Sequence, residues 1–272
     1  MAEKSSVSRL KNTLSFRINK KLIPCTFDRR ALAEIKTNVA PKGNDLHDFS
    51  RAVVRKPWGY EYLLFANKFV SAWILNIKKG CRTSMHCHQG KKTSIIVLSG
   101  NALCLTLGEK MQRRPAQGVL FGKGVFHSTR SLSSRGTFIL EIETPVNKRD
   151  LVRLKDDYGR EQTGYETDEY IYSDLQQYDY VSFIDSNSHF DTQKRFGRCR
   201  IQFMRYNNHQ SLKDLSRRFR WDMMCILKGR IIDGQGKVVF KAGNVLGRED
   251  IKESSGVRTS GVLEAIVVRK DR

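Results

Sequence analysis

Three histidines mark the chemistry that this sequence can carry. His86 and His88 stand two residues apart in Gly80-Cys-Arg-Thr-Ser-Met-His-Cys-His-Gln-Gly-Lys-Lys-Thr93. On a strand, residues two apart project from one face, so both imidazoles would point the same way. About 39 residues further on, Gly122-Lys-Gly124-Val-Phe leads into His127, a third imidazole delivered by another strand. Three neutral nitrogen ligands on one divalent ion leave open positions, as a catalytic metal site requires. The spacing leaves the ion open among Zn, Fe, Mn and Ni. An isolated histidine on a strand is more often a hydrogen-bonded core or surface residue. Three of only 6 in the chain at such positions argue for a shared ligand.

Neighbouring residues extend the candidate site. Thr93 opens the strand that returns after Gly90, and its hydroxyl can point back at the ion. Lys91 and Lys92 read most simply as a solvated turn, yet they sit at the rim, where either could hold an anion. Cys87, between the two histidines, must face away from them into core. Glu141 and Glu143 alternate on Thr137–Thr144 and share a face. On the interior, one of them could serve as a general base or an extra ligand; on the exterior they are salt-bridge partners.

These residues need short strands to position them. From Arg55 onward, runs rich in Val, Ile, Leu, Phe and Thr alternate with Gly-, Asn- or Ser-bearing turns: Tyr60–Phe65, Val70–Ile77, Thr93–Leu98, Ala102–Leu107, Val119–Phe121 and Thr137–Glu143. Closely spaced strands with no helical pattern between them imply a sandwich or barrel. A polar stretch from Lys148 to Asp179 reads as a connector. A second strand-rich block follows, with Arg200–Tyr206, Asp222–Leu227, Arg230–Asp233, Lys237–Phe240 and Val262–Val268. Residues 1–50 mix basic and apolar residues without a clear period and read as an extension with a few short strands.

At this point the chain resembles a known superfamily. Gly80, His86, His88 and Gly100 match the first cupin motif, and Gly124 and His127 match the second. The resemblance implies an all-β cupin, or jelly-roll, barrel over 51–156 with His86, His88 and His127 as metal ligands. The departures are specific. Thr93 stands where cupins usually carry a glutamate ligand, Gly122 where the second motif usually has proline, and Ser131 where asparagine is common. A site without the carboxylate holds a more positive ion and favours an anionic ligand.

The flanks, Arg55-Lys-Pro-Trp58-Gly-Tyr-Glu61 and Asp150-Leu-Val-Arg153-Leu-Lys-Asp-Asp-Tyr-Gly-Arg160, look like those of sugar-metabolism cupins of the mannose-6-phosphate isomerase type. Trp58 and Tyr60 could simply plug a barrel end, and Arg153 and Arg160 could pair with Asp156 and Asp157. Aligning Gly229 with Gly100 places Leu215 and Arg217 where the two histidines stood, with only His209 nearby. The expected organisation is thus two tandem barrels: an extension (1–50), the metal-bearing barrel (51–156), a connector (157–190) and a degenerate second barrel (191–272).

Composition narrows the function classes. Hydrophobic residues make up 39% of 272, enough for a core, and 5 Pro with 20 scattered Gly exclude collagen-like or low-complexity architecture. The 6 cysteines lack CxxC pairing and read as free thiols. No apolar run approaches the roughly 20 residues of a membrane-spanning helix, and the basic N-terminus lacks a signal-peptide core, so the expected location is cytoplasmic. The net charge of +21 points to an anionic partner. Basic residues spread along the chain, without interleaved aromatics, favour an anionic small molecule or glycan over nucleic acid.

The leading reading is a metal-dependent isomerase or epimerase of sugar phosphates or nucleotide sugars. In it Glu141 or Glu143 would move the proton, and Lys91, Lys92, Thr93 and Arg153 would contact substrate. The alternatives are a three-histidine Fe(II) dioxygenase and a non-catalytic sugar-binding module. A homodimer is expected.

Overall fold

In a computed structural model of the chain, the residues described are 19–35, 48–161, 170–184, 192–209, 211, 212, 214, 220–248, 250 and 256–271. The fold is all-β and has three layers. A five-stranded sheet joins β5 (Met85–Cys87), β7 (Ala102–Thr106), β8 (Lys110–Arg113), β10 (His127–Ser131) and β12 (Val152–Lys155), in the order β12-β5-β10-β7-β8. It faces an eight-stranded sheet. That sheet contains β1 (Asn19–Leu22), β2 (Val53–Lys56), β3 (Gly59–Ala66), β4 (Ser71–Ile77), β6 (Lys92–Ser99), β9 (Gly118–Phe121), β11 (Thr137–Thr144) and β13 (Tyr170–Ile171), in the order β1-β9-β6-β11-β4-β3-β2-β13. These two sheets make a jelly-roll barrel.

The third layer is a six-stranded sheet built from the second block. It comprises β14 (Gln193–Phe196), β15 (Cys199–Tyr206), β16 (Met223–Ile232), β17 (Val238–Lys241), β18 (Val245–Gly247) and β19 (Arg258–Lys270), with β18 pairing on β16. The two runs around Gly229 are one bent strand, β16, whose pairing with β19 shifts register twice. Among the described residues the unit is this single sheet with its own core of Met204, Tyr206, Trp221, Met224, Ile226 and Leu263.

The eight-stranded sheet is buried on both faces, and period-two alternation sorts its side chains. Tyr62, Leu64, Ala72, Ile74, Ile96, Leu98, Leu140 and Ile142 face the third layer and share a core with Ile201, Phe203, Cys225 and Ile266. Their neighbours Leu63, Trp73, Leu75, Ile95 and Ile139 face the barrel interior. The interior therefore receives Glu61 and Leu63 of β3, before the register shift between Leu63 and Phe65 that turns Phe65 to the third layer, and the odd-numbered residues of β11, among them Glu141 and Glu143. Gly100 ends β6 with φ +76°, and a Cβ there would meet Gly136 O at 2.6 Å, so only glycine makes this turn.

The described part of the extension adds one strand, β1, parallel to β9 of its own barrel. It then forms a helix, α1 (Thr26–Glu34), whose single turn-spaced apolar face is too short to stand out from a basic background. The described parts of the connector are built into the barrel wall: Tyr60 Oη donates to Tyr178 O (2.9 Å), Tyr62 Oη to Asp179 O (2.8 Å), and β13 pairs with β2. Leu215 and Arg217 lie outside the described residues, and His209 is exposed on a turn. No helix among the described residues is long and apolar enough to cross a membrane.

Candidate metal centre

Adjacent strands of the five-stranded sheet bring the histidines together. His127 opens β10 directly opposite His86 on β5, and Arg153 of β12 is opposite His86 on the other side. Residues in register across neighbouring strands share a face, so Arg153, His86 and His127 form a row pointing inward. His88 follows β5 on the same parity. The ring centroids are 5.0 Å apart for His86–His88, 4.5 Å for His86–His127 and 5.4 Å for His88–His127, and one ligand atom from each lies within 4.8 Å of the others.

Each ring is oriented through its Nδ1. His86 Nδ1 lies 2.9 Å from Ser84 O, His127 Nδ1 lies 2.9 Å from Val125 O, and His88 Nδ1 contacts Asp150 O. A carbonyl only accepts, so each Nδ1 carries the hydrogen and each Nε2 keeps a bare lone pair. The Nε2 atoms of His88 and His127 are buried with no hydrogen-bond partner. Buried polar atoms left unsatisfied are rare and call for an explanation. Three converging lone pairs are a donor set that could hold a divalent cation.

Electrostatics keep the rings in the ligating form. Burial, then the other imidazoles and the Lys91 and Arg153 cations, hold His86 and His88 well below the usual histidine range. Burial also pulls His127 down to about 4. Phe121 stacks on His127 at 4.2 Å and 7°. Asp150 locks the turn after His88, its carboxylate accepting from the backbone N–H groups of Gln89 (2.9 Å), Gly90 (2.8 Å) and Lys91 (2.8 Å).

The histidines open into a cavity of about 670 Å³, measured to include its mouth. Its opposite wall is the eight-stranded sheet with Glu61, Glu141 and Glu143. Both Glu141 and Glu143 thus face the interior, but their surroundings differ. Glu143 Oε1 accepts from Lys91 Nζ (2.6 Å) and Oε2 from Ser71 Oγ (3.1 Å). Burial opposes its charge, yet Lys91 and Lys148 hold it below the usual carboxylate range. Glu141 makes no hydrogen bond or ion pair among the described residues. Burial first, then the Glu143 charge, push its carboxyl up to about 7.

The remaining expected residues fall in different places. Lys91 is buried and lines the cavity rather than a solvated turn, whereas Lys92 is exposed and does not line it. Thr93 is buried beside Glu143 in register, and its Oγ1 has no hydrogen-bond partner among the described residues. Arg153 lines the cavity, as do Trp58 and Arg160 of the flanking segments. Tyr60 turns outward to Tyr178 and Phe138. Arg160 pairs with Asp156 (2.7 Å), while Asp157 pairs with Arg82.

Lys56, Glu61 and Lys148 were not legible as site residues. Lys148 Nζ lies 3.1 Å from Glu61 and 3.7 Å above the Trp73 ring. Lys148 belongs to a polar run without strand pattern, so only the tertiary fold reveals it. The odd parity shared by Glu61, Trp73 and Glu141 was the one available signal.

Strand order, the paired histidine-bearing strands and the inward row of rings describe a jelly-roll barrel with one histidine-lined interior. No family model matches the chain, and no curated protein matches it. Among solved structures the chain is similar to a sugar phosphate isomerase from a cupin superfamily of Silicibacter pomeroyi DSS-3, at 13% identity and a TM-score of 0.31, over 32% of this chain and 59% of that one. It spans less than two thirds of that protein. It is also similar to KdgF from Halomonas sp. (16%, TM-score 0.34, 39% of this chain and 92% of that one). A third likeness is to an RmlC-like cupin from Shewanella frigidimarina NCIMB 400 (15%, TM-score 0.33, 35% and 85%).

Proposed function

We propose that this protein is a metal-dependent enzyme acting on an anionic carbohydrate, of the sugar phosphate or nucleotide sugar class, by proton transfer of the isomerase or epimerase kind. The observation that carries this reading is one cavity holding both a three-imidazole set with free Nε2 atoms and, on the facing wall, an unpaired buried carboxyl.

His86, His88 and His127 would hold the ion through Nε2. A divalent ion there supplies Lewis-acid polarisation of a carbonyl or of adjacent hydroxyls. Glu141 takes and returns the proton: a carboxyl near 7 is balanced between its two forms at neutral pH, which suits a general base that must also act as an acid. Glu143 is committed to Lys91 and stays ionised, so it holds Lys91 in place. Lys91 lowers all three imidazoles and therefore presents its charge to the same space. With Arg153 and Arg160 on the cavity wall, it favours an anionic ligand at the open face of the site. Thr93 offers a hydroxyl beside Glu143.

The test combines elemental analysis of the purified protein with a thermal-shift screen of sugar phosphates and nucleotide sugars. The expected result is one divalent ion per chain and a metal-dependent shift with one ligand class. Protein lacking metal after growth and purification without chelators, and taking up none on titration, would sink the reading. Iron in the purified protein with O₂ consumption on adding an organic substrate would replace it with a three-histidine dioxygenase.

A further inference from the structure

Within segment 19–35, β1 joins the edge of the eight-stranded sheet and α1 packs behind the histidine-bearing strands. β1 runs parallel to β9, ending with Leu22 beside Phe121, the residue whose ring stacks on His127. Gly122 N–H then donates to Leu22 O at 3.0 Å. A Cβ at position 122 would sit 2.9 Å from that same oxygen. Proline, usual at this point of the motif, has neither the N–H nor the room. The departure at Gly122 is therefore what the docked segment requires.

α1 continues the contact. Its residues Ala31 and Leu32, with Ile35, pack on Cys87, Phe126 and Val152. These are the residue between His86 and His88, the residue before His127, and the residue before Arg153. Asp28 is buried in this seam. Its Oδ1 accepts the backbone N–H of Phe126 at 2.9 Å, and its Oδ2 accepts the N–H of Cys25 at 2.8 Å, which caps the helix. A carboxylate hydrogen-bonded to peptide N–H groups is among the stronger neutral-donor contacts. It pins the peptide that precedes His127, whose own carbonyl neighbour, Val125 O, orients the His127 ring.

We infer that residues 19–35 are a strap that sets the geometry of the three-histidine site, with Asp28 as a positioning residue for His127. This rests on the metal-binding reading of the histidines. The strap adds no ligand; it removes the freedom of the segments that carry the ligands. Groups that orient metal ligands from behind typically alter affinity 10–100-fold when removed.

The experiment uses the full chain, stripped of metal and titrated with Co²⁺, read by its visible absorption bands and by competition with a chelator. Asp28→Ala and Gly122→Pro are expected to weaken Co²⁺ by about 10–100-fold and to change the band shape, which reports ligand geometry and which a purely stabilising role would leave alone. Asp28→Asn keeps one acceptor oxygen and should fall between them and the parent, which covers the case in which Asp28→Ala does not fold. Arg30→Ala, on the exposed face of the helix, should match the parent. If the folded Asp28 and Gly122 variants bind Co²⁺ with parental affinity and spectrum, the strap inference is overturned. If the parent chain itself binds no Co²⁺, or His127→Gln binds as well as the parent, the metal reading fails first and the inference falls with it.

Discussion

At the scale of single residues, the site works by assigning opposite states to similar groups. Glu141 and Glu143 are two positions apart on one strand, yet Lys91 and Ser71 claim Glu143, while burial and the Glu143 charge raise Glu141, which makes no hydrogen bond or ion pair among the described residues. Replacing Glu141 by Gln should therefore lower kcat by about 10²–10⁴-fold while leaving metal content unchanged, as measured by turnover and elemental analysis. Lys91→Met should be destructive in another way. It leaves Glu143 buried without its cation, and breaking such a pair costs about 3–5 kcal/mol, read as a shift of the denaturant midpoint. Adding Glu143→Gln should recover most of the loss, since a neutral pair needs no counter-charge.

The histidines give a pH signature in the metal-free protein. Their folded-state values lie below the unfolded one, so between about pH 6.5 and 4 the unfolded chain binds protons that the folded chain does not. Stability is thus full above that window and is lost as the pH falls through it. His127 alone accounts for about 3 kcal/mol. Glu141, raised in the fold, acts in the opposite sense, so the comparison with His127→Gln isolates the effect. The parent should lose stability relative to that variant as the pH drops from 7 to 4, by urea denaturation at each pH. Parallel curves would refute the assignment.

At the scale of elements, the eight-stranded sheet is what gives the cavity two chemically distinct walls. On one face Tyr62, Leu64, Leu140 and Ile142 meet the third layer, while on the other Trp73, Leu75 and Ile139 mix with three carboxylates. Trimming the shared outer face tests this. Leu140→Ala should cost about 2–5 kcal/mol by leaving a void between layers, without touching the histidines, and denaturation with metal titration separates the two effects.

At the scale of the whole molecule, the barrel and the six-stranded sheet are joined by one continuous apolar core and by Asn67 Nδ2 donating to Leu227 O at 2.9 Å. They should unfold together. Trp58 and Trp73 report from the barrel interior and Trp221 from the core of the second sheet. Single-region tryptophan variants should therefore give coincident midpoints in denaturant. Separated midpoints would show two independent units. The +21 charge acts at this scale too, since it raises the local concentration of anions around a cavity lined by Lys91, Lys148 and Arg153.

Much of this organisation was legible in the sequence. His-x-His at strand spacing, a third histidine after a glycine turn, and the period-two pairing of Glu141 with Glu143 are local patterns, and local backbone geometry converts them directly into shared faces. The strands β3, β4, β6, β9, β11, β15 and β19 were legible for the same reason. Partnership was not. Whether Lys91 is a solvated turn or a buried cation, and whether Lys92 or Lys148 lines the cavity, depends on which residue distant in sequence stands opposite. That is set by strand register and by Asp150 pinning the turn. The helix α1 and its Asp28 were invisible because their meaning comes entirely from packing on residues 52 to 121 positions away. By itself the sequence determined a strand-rich barrel and the identity of three converging histidines. Only the tertiary structure decided which of two like carboxyls is free to carry a proton, because burial and a neighbouring charge, not residue type, set its affinity for one.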